Sequence, residues 1–252
     1  MVIIDLEDAV DAAHKDAARA NVLRYLADRP PGAGVVHVRS NDLRTPRGRD
    51  DLAALAGAPG LDGIRLPKVD SATDLDRAGD LIGDIPLYVL LESAFGLSHV
   101  DEIAAHPRTA GIGLGEQDLA AELSITDERA LDQLRVQVVV AAAAAGVGPV
   151  PMSVYADVTD EAGLRASCAH GRALGMFGRG AIHPRQVPVI RAAFRPTEAE
   201  VASARAIVDA AAEAGQHGVG AFVLPDGRFV DAPIIAKARS TLAQVDGDRQ
   251  DD

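Results

Sequence analysis

Residues 87–118 read LYVLLESAFGLSHVDEIAAHPRTAGIGLGEQD and contain the pattern that decides the fold. Two short apolar runs, Leu87–Leu91 and Gly111–Leu114, are each followed closely by an acidic side chain, Glu92 and Asp118. The stretch between the two runs has the composition and length of a helical connection. Such an alternation of strand and helix is typical of a parallel α/β sheet, in which all strands end at the same edge.

The same alternation continues along the chain in both directions. The predicted strands are Val2–Asp5, Val35–Arg39, Gly63–Pro67, Leu87–Leu91, Gly111–Leu114, Val150–Val154 and Ala181–His183. The predicted helices include Asp50–Ala58, Ala72–Gly83, Asp127–Ala145 and Asp160–Leu174. Thr197 and Glu200 form a capping box that begins a further helix, and Gly215 ends it.

Reactive side chains at the strand ends distinguish two α/β architectures. They are Asp5, Glu7, Arg39, Lys68, Glu92, Asp118 and His183. An open doubly wound sheet concentrates its site at one switch point, whereas a closed barrel brings every strand end to one mouth. We therefore predict a TIM-type (β/α)₈ barrel that lacks its first strand–helix unit. The barrel domain is predicted to cover residues 1–215, and the tail Val245–Asp252 is predicted to be disordered.

The composition limits what the protein can do. Asp and Glu outnumber Lys and Arg by 37 to 25, which gives the 252-residue chain a net charge of −12. That charge repels phosphate backbones, and the absence of Trp leaves few rings for base stacking, so nucleic-acid binding is disfavoured. No apolar run is long enough to span a membrane, and one cysteine cannot build a disulfide framework. We expect a cytoplasmic enzyme.

Glu92 and Asp118 follow consecutive strands, so a barrel would place them side by side at its mouth. Two carboxylates there suit Mg²⁺, which accepts one or two protein carboxylates and keeps its other positions for water and substrate oxygens. The alternative is that each acid caps the helix that follows it. The spacing leaves both interpretations open.

Arg39 ends the second predicted strand, where a buried guanidinium needs an acidic partner. Its fork could hold a substrate carboxylate or pair with Glu7, and a purely structural ion pair is the alternative. Lys68, at the end of the third strand, could form a Schiff base, although a carboxylate partner fits better because no second feature supports that chemistry.

Three other features give weaker signals. The glycines of residues 111–115 form GxGxG, which does not match the dinucleotide motif GxGxxG. We interpret them as packing glycines that leave the amides of Gln117 and Asp118 free to hold an anionic ligand group, and a plain strand-to-helix turn is the alternative. His183 is interpreted as a packing residue rather than a base, and Cys168 as a small core residue.

Segments distributed along most of the chain carry a family resemblance. They are Val2–Val10 with Lys15–Arg19 behind it, Val36–Asn41, Leu66–Lys68, Leu91–Leu97, Gly113–Leu119, Gly178–Gln186, Phe194–Thr197 and Val230–Ile234. In this order they resemble the citrate lyase β-subunit-like family of CoA-ester lyases, within the HpcH/HpaI aldolase superfamily. The order of the segments makes the resemblance far more specific than any single motif.

The resemblance implies a Mg²⁺-dependent lyase that makes or breaks a carbon–carbon bond between a short acyl-CoA and a 2-oxo acid. Its substrates would be of the citryl-, malyl- or citramalyl-CoA type. Glu92 and Asp118 match the metal carboxylates of the family. Arg39 matches the arginine that holds the oxo-acid carboxylate, and Glu7 matches an acid that orients it and nearby water.

Further site residues are implied in the same way. The backbone of Glu116, Gln117 and Asp118 would contact the oxo-acid carboxylate, and Lys68 is counted among the substrate-binding residues. Asp231 matches an acid–base aspartate in a C-terminal lid, predicted here as residues 216–252, that reaches the site of a neighbouring subunit. A homotrimer or a multiple of it is therefore expected.

Two departures from the family pattern keep other functions open. The family begins with a further strand and helix that helps bind CoA, whereas this sequence starts at Met1 on the following strand. Met152 and Ser153 stand where relatives often carry an acid, which would alter substrate choice. The alternatives are an aldolase that acts on a free hydroxy-oxo acid without CoA, and a non-catalytic paralogue that binds the oxo acid.

Overall fold

The structure is a computed structural model that describes residues 1–216 and 220–248. Its elements, in chain order, are β1 (Val2–Asp5), α1 (Lys15–Ala27), β2 (Val36–Arg39), α2 (Pro46–Leu55), β3 (Gly63–Leu66), α3 (Ala72–Ile82), β4 (Leu87–Leu91), α4 (Ala94–Ser98), α5 (Val100–Ala105), β5 (Thr109–Leu114), α6 (Glu116–Glu122), α7 (Glu128–Ala145), α8 (Glu161–Ala173), α9 (Gln186–Phe194), α10 (Glu198–Gln216), β6 (Phe222–Val223), β7 (Phe229–Val230) and α11 (Ala232–Asp248). Within the described ranges, no helix is both long enough and apolar enough to cross a membrane.

Strands β1 to β5 form a parallel sheet in the order β1-β2-β3-β4-β5. Each strand lies beside the next one in the chain, without the reversal of strand order that defines a doubly wound sheet. The predicted parallel α/β class is therefore confirmed. The strands are added to the sheet in one direction only, as they would be in a barrel. Closure into a complete barrel stays a prediction.

The sixth and seventh predicted strands are not formed as strands, and only a short parallel pairing of residues 150–152 with residues 177–180 remains. Residues 150–154 and 181–183 are not strands, and Met152 forms an isolated parallel bridge with Arg179 instead. Pro151 explains part of the difference, because a proline has no amide hydrogen for a ladder. This segment contacts the end of β5 through a side chain, since Ser153 Oγ donates a hydrogen bond to the Leu114 carbonyl.

The two faces of the sheet have different compositions. One face is aliphatic and almost completely buried, with Val38, Ile64 and Val89 each 0% exposed. The register places Asp5, Arg39, Arg65, Tyr88 and Gly111 in one row on the opposite face. Because side chains alternate along a strand, the apolar face packs under the helices while the polar face is free for chemistry.

Helix starts follow local capping chemistry. Helix α2 begins at Pro46 rather than at the predicted Asp50, because the Gly48 amide donates to Thr45 Oγ1 at 3.0 Å and proline fits the first turn. The predicted capping box of α10 is confirmed: the Thr197 amide donates to Glu200 Oε2 at 2.7 Å, and the Glu200 amide donates to Thr197 Oγ1 at 3.2 Å.

The chain divides into two units, Met1–Ile190 and Arg191–Asp252. In the second unit α10 packs with α11 over a small core, and β6 and β7 form an antiparallel hairpin. The sequence placed α10 in a domain that ends at residue 215, whereas here it belongs with the C-terminal segment. Helix α11 also runs through Asp248, where disorder was predicted from Val245; residues 249–252 lie outside the described part.

Candidate active site

The guanidinium of Arg39 lies among the acids that follow β1. Its Nε and Nη2 donate to the two oxygens of Asp5 at 2.7 Å and 2.6 Å, and its Nη1 lies 2.9 Å from Glu7 Oε2. A two-point pair of this kind fixes the plane of the guanidinium. The structural ion pair considered for Arg39 is therefore present, with Asp5 as the main partner, and the Nη1 edge is directed toward Glu7.

Glu7 and Lys68 form a second ion pair between β1 and β3. Lys68 Nζ donates to Glu7 Oε1 at 2.7 Å, and the Glu7 side chain is 5% exposed. Burial lowers the pKa of Lys68, but the bond to Glu7 more than compensates, so the net shift is upward. A protonated ammonium is a poor nucleophile, so the structure favours the carboxylate partner over the Schiff base.

Lys68 also has a backbone conformation that few residues with a side chain adopt. Its φ is +54°, in the left-handed region. Such conformations persist where the surrounding contacts hold them, and they occur often at functional sites. The left-handed backbone after β3 thus sets the direction of the Lys68 side chain. Its ammonium reaches Glu7, which follows β1.

The Glu92 carboxylate lies over the start of α6. Its Cγ is 2.5 Å from the point where a Cβ of Gly115 would stand, so a side chain at residue 115 would displace it. Ser93, not Glu92, caps α4, because the Gly96 amide donates to Ser93 Oγ at 2.9 Å. The interpretation of Glu92 as a helix cap is therefore wrong, and its buried carboxylate needs another role.

The pKa of Glu92 shows which charged groups surround it. Burial, with repulsion from Glu7 and Asp118, raises it from its usual value to about 7, while Lys68 and Arg39 oppose the rise. Four charged groups from the other strand ends, Glu7, Arg39, Lys68 and Asp118, therefore act on Glu92. Glu92 and two of these groups are carboxylates, and a hard divalent cation would relieve their repulsion and accept their oxygens. The residues present fit Mg²⁺.

Helix α6 presents its first turn beside Glu92. Gln117 and Asp118 are exposed, whereas the Glu116 side chain is buried and forms an ion pair with Arg135 on α7. The Glu116 amide donates a long hydrogen bond of 3.4 Å to Ser153 Oγ. The predicted contribution of Glu116 to binding could therefore come from its backbone but not from its carboxylate.

Three further residues hold this region, and the sequence did not predict that role for any of them. Lys15 Nζ donates to the carbonyls of Leu6 and Glu7 at 3.0 Å and 2.9 Å and to Asn41 Oδ1 at 2.6 Å. Arg135 and Ser153 hold the start of α6. The burial of Arg135 could have been predicted from the sequence, because it stands on the same face of its helix as the buried Val138.

The remaining predicted residues lie elsewhere. Asp231 belongs to the second unit, where its Oδ1 accepts a hydrogen bond of 3.4 Å from the Ile234 amide at the start of α11. His183 is exposed and its Nδ1 accepts from the Arg185 amide, while Cys168 is completely buried in α8. Gly111 lies against the ring of Tyr88, as expected of a packing glycine.

Glu128, Asp132 and His170 form a second group of possible metal ligands, with ligand atoms within 4.8 Å of one another. The guanidinium of Arg135 already pairs with Glu128 and Asp132, and His170 Nε2 lies 2.8 Å from Asp132. A cation of the protein therefore already contacts both carboxylates of this cluster.

Comparison with known proteins agrees with this geometry. Residues 1–184 match the HpcH/HpaI aldolase/citrate lyase family, and the chain belongs to that family. A (3S)-malyl-CoA thioesterase of Cereibacter sphaeroides is 42% identical over 250 residues, which cover 97% of this chain and 86% of the relative. The family predicted from the sequence is thus confirmed, and the name of this relative states that it acts on a CoA ester.

Two solved structures are similar to the whole chain or to most of it. The CitE protein of Mycobacterium tuberculosis in complex with magnesium, acetoacetate and coenzyme A has a TM-score of 0.81 and 31% identity, covering 97% of this chain and 89% of that one. A citrate lyase β subunit from M. tuberculosis with oxaloacetate and magnesium has a TM-score of 0.67 and 32% identity, with coverages of 78% and 87%. The predicted cofactor, Mg²⁺, is present in both relatives.

Proposed function

We propose that this protein is a Mg²⁺-dependent lyase that cleaves or forms the carbon–carbon bond of a β-hydroxyacyl-CoA, with a short acyl-CoA and a 2-oxo acid as the other partners. The observation that carries the proposal is the convergence of Glu92 and Asp118 with Glu7, Lys68 and Arg39 at consecutive strand ends. The ligands of the M. tuberculosis relatives, which are magnesium with acetoacetate and coenzyme A or with oxaloacetate, support it.

Glu92 and Asp118 would hold the metal. When bound, Mg²⁺ would polarise the carbonyl of the oxo acid and orient its carboxylate. Burial of Glu92 makes its ionised form costly without a cation, since its pKa is raised to about 7. The site therefore favours binding of a cation together with loss of a proton from Glu92.

Arg39, Lys68 and the start of α6 would hold the substrate carboxylate. Asp5 fixes the guanidinium of Arg39, so its Nη1 edge is presented in one orientation. Glu7 accepts a hydrogen bond from Lys68 and forms an ion pair with Arg39, so it contacts both cations. The exposed Gln117 and Asp118 would contribute backbone amides. Such fixed donors reduce the entropy cost of orienting the substrate.

Asp231 would serve as the acid–base group, supplied by a neighbouring copy of the chain. In synthesis it would remove a proton from the α-carbon of the acyl-CoA, the resulting enolate would form the carbon–carbon bond with the carbonyl carbon of the oxo acid, and the alkoxide oxygen would take up a proton to become the β-hydroxyl group. In cleavage the hydroxyl group would lose its proton, the carbon–carbon bond would break to give the oxo acid and the enolate, and Asp231 would return a proton to the enolate carbon. We expect Asp231→Asn to abolish turnover and to leave metal affinity unchanged. Asp226→Asn is the matched control, because Asp226 lies in the same hairpin and pairs with the exposed Arg228. Near-normal turnover of Asp231→Asn would rule out this role.

The metal site can be tested without knowledge of the acyl group. Calorimetric titration with oxaloacetate, pyruvate and glyoxylate, with and without Mg²⁺, should show binding that requires the metal. Glu92→Ala should remove that binding, whereas Glu102→Ala, on the exposed side of α5, should keep it. Binding that is unaffected by Glu92→Ala would contradict the proposal.

Thioester hydrolysis is a second candidate, favoured by the 42% identity to a (3S)-malyl-CoA thioesterase. The products separate the reactions. From malyl-CoA, a lyase releases glyoxylate and acetyl-CoA, whereas a thioesterase releases malate and a free thiol. Glyoxylate without thiol supports the lyase, and thiol without glyoxylate supports hydrolysis. Cleavage of free malate-type hydroxy acids but not of their CoA esters would identify the aldolase alternative.

Assembly into a homotrimer stays part of the proposal, because Asp231 would have to come from a neighbouring copy. Light scattering during size-exclusion chromatography measures the mass directly. A monomer at all concentrations would exclude the shared site.

A further inference from the structure

Arg135 is the most deeply buried arginine in the described part of the first unit, with 3% of its surface exposed. Its guanidinium pairs with three carboxylates, those of Glu116, Glu128 and Asp132. A buried cation costs several kcal/mol of desolvation unless it is well paired, so its position is determined closely by these partners. The proposed mechanism uses none of these contacts.

The partners of Arg135 lie on two different helices. Nη1 contacts Glu128 and Asp132, both in the first part of α7, whereas Nη2 contacts Glu116 at the first position of α6. The guanidinium therefore joins the start of α6 to a long helix. His170 adds a contact from α8 through Asp132 and limits its movement.

Helix α6 needs such support because it is only seven residues long. Helices of this length are unstable by themselves, so contacts outside the helix determine its direction. Two contacts act at its first turn: the Arg135–Glu116 pair holds the side chain, and Ser153 Oγ accepts from the Glu116 amide. Asp118 stands two residues further on in the same turn.

We infer that Arg135 is a positioning residue of the metal site, which acts through Glu116 to fix the first turn of α6 and thereby the carboxylate of Asp118 opposite Glu92. The inference rests on the proposed function, since it requires that Asp118 bind the metal. Partners that orient metal ligands in this way alter metal affinity by about 10- to 100-fold when they are removed.

Mn²⁺ binding to the full-length protein, measured by calorimetry, tests the inference without any substrate. Arg135→Met should weaken Mn²⁺ binding by about 10-fold or more, and Arg135→Lys should weaken it less, because one ammonium can replace part of the fork. Glu116→Gln keeps the shape of the side chain and leaves Arg135 with two carboxylates, so it should fold even if Arg135→Met does not. Arg129→Met is the matched control, since Arg129 lies on the same helix in an exposed pair with Asp127.

Two further readouts separate positioning from general destabilisation. Amide hydrogen exchange should become faster across residues 116–122 in Arg135→Met and Glu116→Gln, while β4 keeps its protection. The double variant should bind Mn²⁺ no more weakly than Arg135→Met alone, because both changes break the same contact. Excess Mn²⁺ should restore the binding of oxaloacetate to Glu116→Gln.

The possible failures are distinguishable. Wild-type protein that binds no Mn²⁺, or binds it equally well after Glu92→Ala, overturns the proposed function and this inference with it. If wild type binds Mn²⁺ through Glu92 but folded Arg135→Met and Glu116→Gln bind it equally tightly, the inference alone is overturned. A loss of affinity in Arg129→Met as large as in Arg135→Met would also overturn it.

Discussion

Gly115 determines where the carboxylate of Glu92 can lie. A Cβ at residue 115 would stand 2.5 Å from Glu92 Cγ and 3.3 Å from its Cδ, so the glutamate would have to move. We expect Gly115→Ala to fold but to bind Mn²⁺ about 10-fold more weakly, because a displaced ligand loses its geometry. Calorimetry measures the change, and Gly148→Ala, with no atom within 4 Å of its Cβ, is the control.

Unchanged Mn²⁺ affinity in Gly115→Ala would show that Glu92 does not bind the metal from this position. Unchanged Mn²⁺ affinity together with weaker oxo-acid binding would mean that Gly115→Ala disturbs the binding of the substrate and not that of the metal.

His37 affects stability rather than the chemistry of the site. It is 2% exposed, its ring lies 4.2 Å from that of Tyr88, and burial together with Arg65 lowers its pKa to about 4. Between pH 6.5 and 4 the unfolded chain binds a proton that the folded chain does not. Above pH 6.5, His37 therefore causes no change of the free energy of unfolding with pH. As the pH falls from 6.5 to 4, it lowers the free energy of unfolding by at most about 3 kcal/mol.

His37→Phe keeps a ring beside Tyr88 but cannot be protonated. Urea unfolding at a series of pH values should show a shallower loss of stability below pH 6.5 in this variant than in wild type. His14→Phe, at an exposed position, should keep the wild-type slope. Parallel pH profiles of wild type and His37→Phe would mean that His37 is protonated in the folded state.

The sequence was informative about single residues wherever a strand ended. The position of a reactive side chain after an apolar run predicts that it meets the others at one edge, and Glu7, Arg39, Lys68 and Glu92 do so. The pattern does not show which of several acids an arginine will choose, so the two-point bond from Arg39 to Asp5 was not predicted. Glu116, the partner of Arg135 on α6, lies 19 residues away in the chain, and no local period connects the two.

At the scale of elements, the Lys15 ammonium bonds the loop between β1 and α1 to the segment after β2. Lys15 donates to two loop carbonyls and to Asn41. We expect Lys15→Met to lower the free energy of unfolding by about 2 kcal/mol, because bonds from a charged donor are lost and the carbonyls stay partly buried. Urea denaturation measures the loss, and amide exchange of residues 6–13 should increase.

Lys237→Met is the control for that change, since Lys237 is exposed on α11. Equal stability of the two variants would indicate that the loop is held by the ion pairs of Glu7 instead.

Elements with strong periodicity and clear caps were predicted well, as α3 and α7 show. Their apolar positions recur at helical spacing, so the pattern and the structure agree to within a residue or two. Of the two predicted strands that failed, residues 150–154 are interrupted by Pro151, and residues 181–183 form a run of only three residues between Gly180 and Pro184. Composition predicts that such a run is extended, but whether it pairs depends on neighbours that are distant in the sequence.

At the scale of the whole molecule, the predicted metal ligands lie in the first unit and Asp231 in the second. Because each unit has its own contacts, a chain that ends at Phe194 should fold and bind Mn²⁺ with unchanged affinity but should not turn over substrate. Calorimetry and the product assay test the two halves of this prediction. Turnover by the shortened chain would exclude Asp231 as the acid–base group, and a failure to bind Mn²⁺ would show that the second unit supports the metal site.

The order of the site groups along the chain has a consequence for biosynthesis. Glu7, Arg39, Lys68, Glu92 and Asp118 enter on successive strands, and each strand pairs with the one before it. A nascent chain that leaves the ribosome from its N-terminus can therefore assemble these groups in order, and Arg135 and Ser153, which hold the start of α6, follow soon after them. Asp231 is translated long after them. The growing polypeptide would hold a complete metal site and remain chemically idle until synthesis is nearly finished.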